Sequence, residues 1–238
     1  MARLNHMPSI LIPPAKLKPF GKTWEANGKC LSRTPPQSSS QLGNIFDEEV
    51  GQALAILLGG IPVVKPHSRS LIASEIDCVE VGPVRVVGGV RPQNFDVGYR
   101  PDGIRFAFDS KTLNDSKSLQ KNWQNMINDL ATEATTVHSR FPHAVVGFMV
   151  VIPAPCFTDP QRSAIIETLE RLARRINVDD SDYMAEAISL VIWDPKTGDI
   201  DPNIPQTDSP LRLEKFSTFV EAAYVNRYKG LPPHASAE

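Results

Sequence analysis

The chain has 238 residues, a hydrophobic content of 41%, a charged content of 22% and a formal net charge of −2, which are values of a globular protein and not of a histone-like cation. No apolar run reaches the roughly 18 residues that a membrane-spanning helix needs, and the amino terminus lacks the apolar core of a signal peptide. We therefore expect a cytoplasmic protein with no membrane partner. Three widely spaced cysteines indicate neither a disulfide framework nor a zinc knuckle.

The first 44 residues are basic and rich in proline. They contain six lysines and arginines against Glu25 alone, whereas residues 129–238 contain ten basic and sixteen acidic side chains. The sequence predicts two parts, an amino-terminal arm over residues 1–44 and a folded domain over residues 45–238. Such an arm either becomes ordered on the phosphates of a nucleic acid or lies as a flexible extension without a binding role, and the pattern leaves both readings open.

A helix is predicted from about Ile45 to Leu58, with Asn44 as its cap and Gly59-Gly60 as its end. Apolar residues recur at helical spacing on one side of it and form its buried stripe. Glu48 and Glu49 lie off that stripe in the first turn, where the helix dipole favours anions. Short alternating pieces with glycine turns follow up to Pro92 and predict one or two strands.

The next segment has the pattern of a hairpin, in which residues 94–99 and 104–111 alternate around a turn at Arg100-Pro101-Asp102-Gly103. On the return strand, Asp109 and Lys111 lie on the same face because side chains alternate with a period of two. Hairpin pairing brings Asp96 of the outgoing strand beside Asp109. Two adjacent carboxylates repel each other unless a cation neutralises them, and Mg²⁺ takes one or two carboxylates plus phosphate oxygens. The alternative is a solvated sheet face with a weak cross-strand ion pair.

A long helix is predicted from about Asp115 to Arg140, directly after Lys111. Its apolar stripe includes Trp123, which we interpret as a core residue. The opposite face is rich in amides and lysines, which hydrogen-bond base edges and phosphates. This face therefore either contacts DNA, together with arginines of the hairpin, or is an ordinary solvated helix face. The candidate DNA-binding residues are Lys117, Gln120, Lys121, Gln124, Arg100 and Arg105.

The remaining segments alternate between strands and helices. A continuous apolar run over 144–152 predicts a buried strand, 159–176 an amphipathic helix with Ile176 inward and Arg175 largely outward, and 187–193 a second buried strand. Residues 194–210 predict a surface loop and 214–228 a closing helix suited to packing or dimerisation. The expected fold class is therefore α/β, a single domain with a central mixed β-sheet flanked by helices, plus the basic amino-terminal arm.

This order of elements, a first helix, a short meander with Asp96 and Asp109-Ser110-Lys111, a long helix and another apolar strand, resembles the PD-(D/E)xK nuclease superfamily and, within it, the type II restriction endonucleases. The resemblance covers roughly residues 45 to 195. It departs from the commonest pattern at Phe95, where proline is frequent, and at Asp109, where glutamate is commoner.

The resemblance implies a restriction endonuclease-like core and a Mg²⁺-dependent, sequence-specific endonuclease acting on double-stranded DNA. It implies that Asp96, Asp109 and Lys111 are catalytic, that Asp96, Asp109 and the Ser110 carbonyl bind the metal, and that Glu48 or Glu49 is a further candidate ligand. It also implies a homodimer and a cognate DNA methyltransferase in the same system, which is not a stable partner. The alternatives are another nuclease of the superfamily, in DNA repair or junction resolution, and a non-catalytic DNA-binding protein.

Overall fold

The computed structural model describes residues 4–117, 119–159 and 161–234, and in these ranges the fold is α/β. Six strands form one mixed sheet flanked by five α-helices. The strands are β1 (Val63–Val64), β2 (Val79–Val87), β3 (Pro92–Tyr99), β4 (Phe106–Thr112), β5 (Val145–Pro153) and β6 (Ala187–Trp193). The helices are α1 (Pro14–Ala26), α2 (Ser39–Leu57), α3 (Leu119–His138), α4 (Gln161–Leu172) and α5 (Leu213–Tyr228), and a short 3₁₀ turn spans Ala154–Cys156.

The strands lie in the sheet in the order in which they occur in the chain. β2, β3 and β4 form an antiparallel meander, whereas β1 is parallel to β2, and β4, β5 and β6 are parallel to one another. Parallel neighbours need crossover connections, and α3 and α4 supply them between β4 and β5 and between β5 and β6. Because two right-handed crossovers that advance in the same direction place both helices on the same face of the sheet, α3 and α4 form one layer.

The two faces of the sheet are distinguished by alternate residues of β4. The ring of Phe108 packs edge-on against Phe216 of α5, with 5.7 Å between centroids. Lys111 is of opposite parity and reaches Glu133 of α3. Every residue of β5 and β6 is buried, as expected for strands covered on both faces. The predicted α/β class with a mixed, helix-flanked sheet is confirmed, and no helix in the described ranges is long and apolar enough to cross a membrane.

The amino-terminal segment differs from the predicted arm, because its described part packs into the core. Helix α1, which sequence patterning missed, buries Leu17, Phe20 and Trp24, and the Trp24 indole donates to the carbonyl of Asn114 at 2.5 Å. Gly21 allows the close approach of the 194–199 loop, since a Cβ there would lie 1.7 Å from the Pro195 carbonyl oxygen. The prolines that suggested an extended arm are compatible with a helix because one of them stands at its first position.

Helix α2 also begins earlier than predicted. Its cap is Ser38 and not Asn44, and Ser38 forms a capping box with Gln41. The serine-rich segment before Asn44 therefore belongs to the helix, whose first turn lies beside the end of β4: the Ser39 hydroxyl is 2.6 Å from that of Thr112.

A buried ion cluster joins α3, β6 and α5 around Glu186. Its carboxylate accepts from Arg175 and Arg227, each at 2.7 Å, and from the backbone N–H of Val146 at 2.8 Å. Arg175 is 2% exposed, which contradicts the predicted outward orientation, and Ile176 is exposed. The reason is that α4 ends at Leu172, so the helical spacing does not extend to these residues.

Candidate active site

The candidate site lies where β3, β4 and α2 meet. Asp96 and Asp109 stand one step beyond Val97 and Phe108, the last registered pair between β3 and β4. Asp96 accepts the backbone N–H of Ser110 at 3.1 Å and lies 3.4 Å from the Ser110 hydroxyl. The hairpin therefore brings Asp96, Asp109 and Ser110 together, as the sequence predicts.

The helix α2 adds a third acid, Asp47, which is 5% exposed. Gly43, one turn earlier, lies so close to β4 that a Cβ there would be 2.8 Å from the Ser110 hydroxyl oxygen. This small residue lets α2 approach the strand, and Asp47 then projects on the same side of the helix. Asp47, Asp96, Asp109 and Ser110 line one cleft of about 400 Å³, which we call the acid cleft.

The two acids of α2 that the sequence offered as candidate ligands, Glu48 and Glu49, do not line the acid cleft. Glu49 is partly exposed and pairs with Lys16 at 2.5 Å, and Glu48 is exposed, whereas the buried Asp47 lines the acid cleft. Asp47 directly follows Phe46 of the apolar stripe, and its place near that stripe is the signal that could have identified the inward-facing acid.

The three carboxylates of the acid cleft are poorly compensated. Burial, followed by the charge of Asp96, raises the pKa of Asp47, and burial, followed by Asp109, raises the pKa of Asp96. Burial also raises the pKa of Asp109 to about 6, against the opposing effects of Asp96 and Lys111. Asp47 Oδ1 is buried and has no hydrogen-bond partner in the described ranges. Like charges gathered in a buried site are what a bound cation would neutralise.

Lys111 lies on the α3 side of the sheet, between two carboxylates. Its ammonium pairs with Asp109 and with Glu133 of α3, the latter at 2.8 Å. Glu133 is 3% exposed and also accepts from the Gln93 side chain at 3.0 Å. Burial opposes the charge on Lys111, but Asp109 and Glu133 hold its pKa above the usual range. The lysine is therefore an ammonium group held in place, which suits charge stabilisation better than deprotonation of water.

Glu133 is the second functional candidate that sequence reasoning missed. It stands on the face of α3 that also carries the buried residues Leu130 and Val137. A glutamate within an apolar stripe needs a cationic partner, and this is the signal that could have indicated a buried ion pair.

Two predicted DNA-binding residues are not available to DNA. Arg100 is 6% exposed and forms a paired hydrogen bond with Glu80, at 2.5 and 3.0 Å. Arg105 is also 6% exposed, pairs with Asp102 and donates to the carbonyl of Pro232 at 2.7 Å. Both arginines stabilise the turn between β3 and β4 instead of facing solvent.

The polar face of α3 remains accessible. Lys117, Lys121 and Gln124 are exposed, whereas the side chain of Gln120 lies outside the described residues. Trp123 is partly buried and packs against the core, in agreement with its predicted role.

Within the described ranges, no group of three or more His, Cys, Asp and Glu side chains has the arrangement of a ready metal site. Asp96 is close enough to raise the pKa of Asp47, and Asp109 close enough to raise that of Asp96, but a cation would have to reorient at least one of these acids. The chemistry of the donors still fits Mg²⁺, because they are all oxygen atoms and one buried carboxylate oxygen lacks a partner.

Comparison with known proteins found no match of this chain to a family model, to a curated protein or to a solved structure.

Proposed function

We propose that this protein is a Mg²⁺-dependent endonuclease that hydrolyses phosphodiester bonds of double-stranded DNA, most similar in type to a type II restriction enzyme. The observation that supports it best is the acid cleft: three poorly compensated carboxylates, two from the hairpin and one from α2, next to a half-buried lysine. Strongly raised carboxylate pKa values in a cleft are typical of functional sites.

Asp47, Asp96, Asp109 and the Ser110 carbonyl would hold the metal, which when bound supplies polarisation of the phosphate and a lower pKa of the attacking water. Asp96 is kept in position by the backbone N–H of Ser110. Asp47 replaces Glu48 and Glu49 as the ligand that α2 contributes.

Lys111 would stabilise the negative charge that develops on the phosphate. Asp109 and Glu133 fix the position of its ammonium group, and Gln93 in turn fixes Glu133. In this proposal Glu133 is a positioning residue that acts through Lys111.

The remaining parts of the proposal concern the substrate and the assembly. The exposed residues Lys117, Lys121 and Gln124 would contact DNA along α3. A homodimer would present one site to each strand of a palindrome, and a methyltransferase of the same system would protect the host DNA in the cytoplasm.

Incubation of the purified protein with phage DNA and Mg²⁺ tests the function. Discrete fragments are expected. Smearing would indicate a non-specific nuclease, preference for branched DNA would indicate a repair or junction-resolving enzyme, and intact DNA would indicate a non-catalytic binder.

Asp109→Ala and Lys111→Ala should each abolish detectable cleavage while a gel shift still shows binding, because the substrate contacts on α3 are unchanged. Glu167→Ala, which removes an exposed acid of α4, is the matched control. Full cleavage by either site variant would rule out the assignment.

A further inference from the structure

A second cleft of about 250 Å³ lies beside the acid cleft, and we call it the side groove. It extends from Cys30 and Arg33 of the segment after α1, past Asn114, to Leu119 at the start of α3. Arg33, Ser39 and Thr112 line both clefts. The two clefts are therefore neighbouring parts of one surface, and the side groove leads from the acids towards α3.

The segment that carries Arg33 is held in place by hydrogen bonds. The backbone N–H of Leu31 donates to the Asn114 side-chain oxygen at 3.2 Å, and the Asn114 amide donates to the Ser39 hydroxyl at 2.7 Å. The N–H of Ser116 donates to the carbonyl of Lys29 at 3.2 Å. Asn114 thus joins the amino-terminal segment, α2 and the end of β4, so that the position of Arg33 is defined by the fold.

The side groove is bordered by cations. Lys29, Arg33 and Lys117 are exposed, and Arg33 forms no hydrogen bond or ion pair within the ranges that the structure describes. Lys29 and Lys117 lie close enough to the groove to affect the thiols of Cys156 and Cys30 electrostatically. The one acid that lines the groove, Asp115, accepts the backbone N–H of Lys117 at 2.9 Å.

We propose that the side groove binds the sugar-phosphate backbone of the DNA strand next to the phosphate that is cleaved, with Arg33 in the groove and Lys117 beside it contacting phosphates. An acidic cleft suits a metal and a scissile phosphate, but it repels the neighbouring phosphates of the same strand. Exposed cations directly beside the acids offset this repulsion. This inference rests on the proposed nuclease function, and it gives the amino-terminal segment a specific role as one wall of the DNA site.

The salt dependence of DNA binding tests whether the side groove contacts DNA phosphates. In an Asp109→Asn background without added metal, we expect Arg33→Gln with Lys117→Gln to lower the slope of log K against log salt by about two, because each phosphate contact contributes about 0.9. The affinity at 0.1 M salt should fall by roughly 10- to 100-fold. Lys18→Gln with Lys22→Gln is the matched control, since it removes two exposed charges from α1 of the same segment.

The outcomes separate this inference from the function on which it rests. If the wild-type protein cleaves DNA but the Arg33 and Lys117 variant has the slope of the control, the side groove does not bind the DNA backbone, and the proposed nuclease function is unaffected. If the wild-type protein does not cleave DNA but the salt slope of the variant falls as expected, the side groove is a DNA-binding surface and the proposed nuclease function is wrong. Absence of DNA binding by the wild-type protein would overturn the inference.

Discussion

The acid cleft and the Glu186 cluster both bury carboxylates, but the groups around these carboxylates differ in charge. Burial alone would raise the pKa of Glu186, yet His138, Arg227 and the N–H of Val146 together lower it to about 2. Burial also raises the pKa values of Asp47 and Asp96, and there the nearest neighbours are other acids. One carboxylate is surrounded by cations and donors, and the others are surrounded by anions.

This difference distinguishes a structural acid from a candidate functional one. A buried carboxylate that is paired on all sides joins helices and strands and has no capacity for a ligand. A group of buried carboxylates without enough cations lowers stability unless a cation from solution completes it. Lys111 offsets only part of the charge of the acid cleft, because its ammonium group pairs with Asp109 and also with Glu133 of α3.

The largest effect on stability is expected when Glu186, the acid paired with cations, is neutralised. Glu186→Gln should lower the free energy of unfolding by about 3–5 kcal/mol, because it leaves Arg175 and Arg227 buried without a carboxylate. Urea denaturation measures the change. Glu214→Gln is the matched control: its ion pair with Arg212 is exposed and should contribute less than about 1 kcal/mol.

The pH dependence of the stability difference between wild type and Glu186→Gln tests whether the charge of Glu186 is the cause. The pKa of Glu186 is lowered from 4.5 to about 2, so its contribution is complete above about pH 4.5 and is lost as the pH falls towards 2. At about 1.36 kcal/mol per pKa unit, the lost stability is about 3 kcal/mol. The difference between wild type and Glu186→Gln should therefore shrink in this range, and a constant difference would mean that charge is not the reason.

A smaller effect is expected at Glu133, which shares Lys111 with Asp109 of the acid cleft. Glu133→Ala should reduce kcat for DNA cleavage by roughly 10- to 100-fold and leave KM unchanged, because Lys111 loses a positioning partner but DNA contacts remain. Glu133→Gln should restore most of the rate, since an amide oxygen can still accept from the ammonium group. Equal losses in both variants, or a change confined to KM, would contradict a positioning role.

Sequence patterns predicted the elements in which apolar residues form a regular stripe or a continuous run. β6 has the predicted bounds, and the predicted hairpin and long helix are present as β3, β4 and α3. The pairing of Asp96 with Asp109 followed from the period of a strand alone. Helix α1 was missed because two prolines at its start and Pro19 within it obscured an apolar stripe that is nevertheless buried.

The features of the site that the sequence did not predict depend on contacts between segments that are distant in the chain. Asp47 reaches the cleft only because Gly43 allows α2 to approach Ser110, and Glu133 meets Lys111 only because a crossover places α3 over β4. The burial of Arg100 depends on Glu80, which lies on the neighbouring strand β2. No local periodicity contains this information, since each contact joins segments about 20 to 65 residues apart.

The smallest expected effect has the opposite sign from that of Glu186→Gln and therefore tests the comparison most directly. Asp96→Asn should raise the free energy of unfolding at neutral pH by about 1 kcal/mol, because it replaces a carboxyl group whose raised pKa lowers stability at that pH, while the amide oxygen can still accept the N–H of Ser110. Thermal denaturation measures this, with the exposed Asp179→Asn as the control. Divalent cations should stabilise the wild-type protein but not the variant, since only a protein that binds the ion in its folded state gains stability from it. If Asp96→Asn is destabilised as Glu186→Gln is, the carboxylates of the cleft are structural acids like Glu186, and the electrostatic argument for a metal site fails.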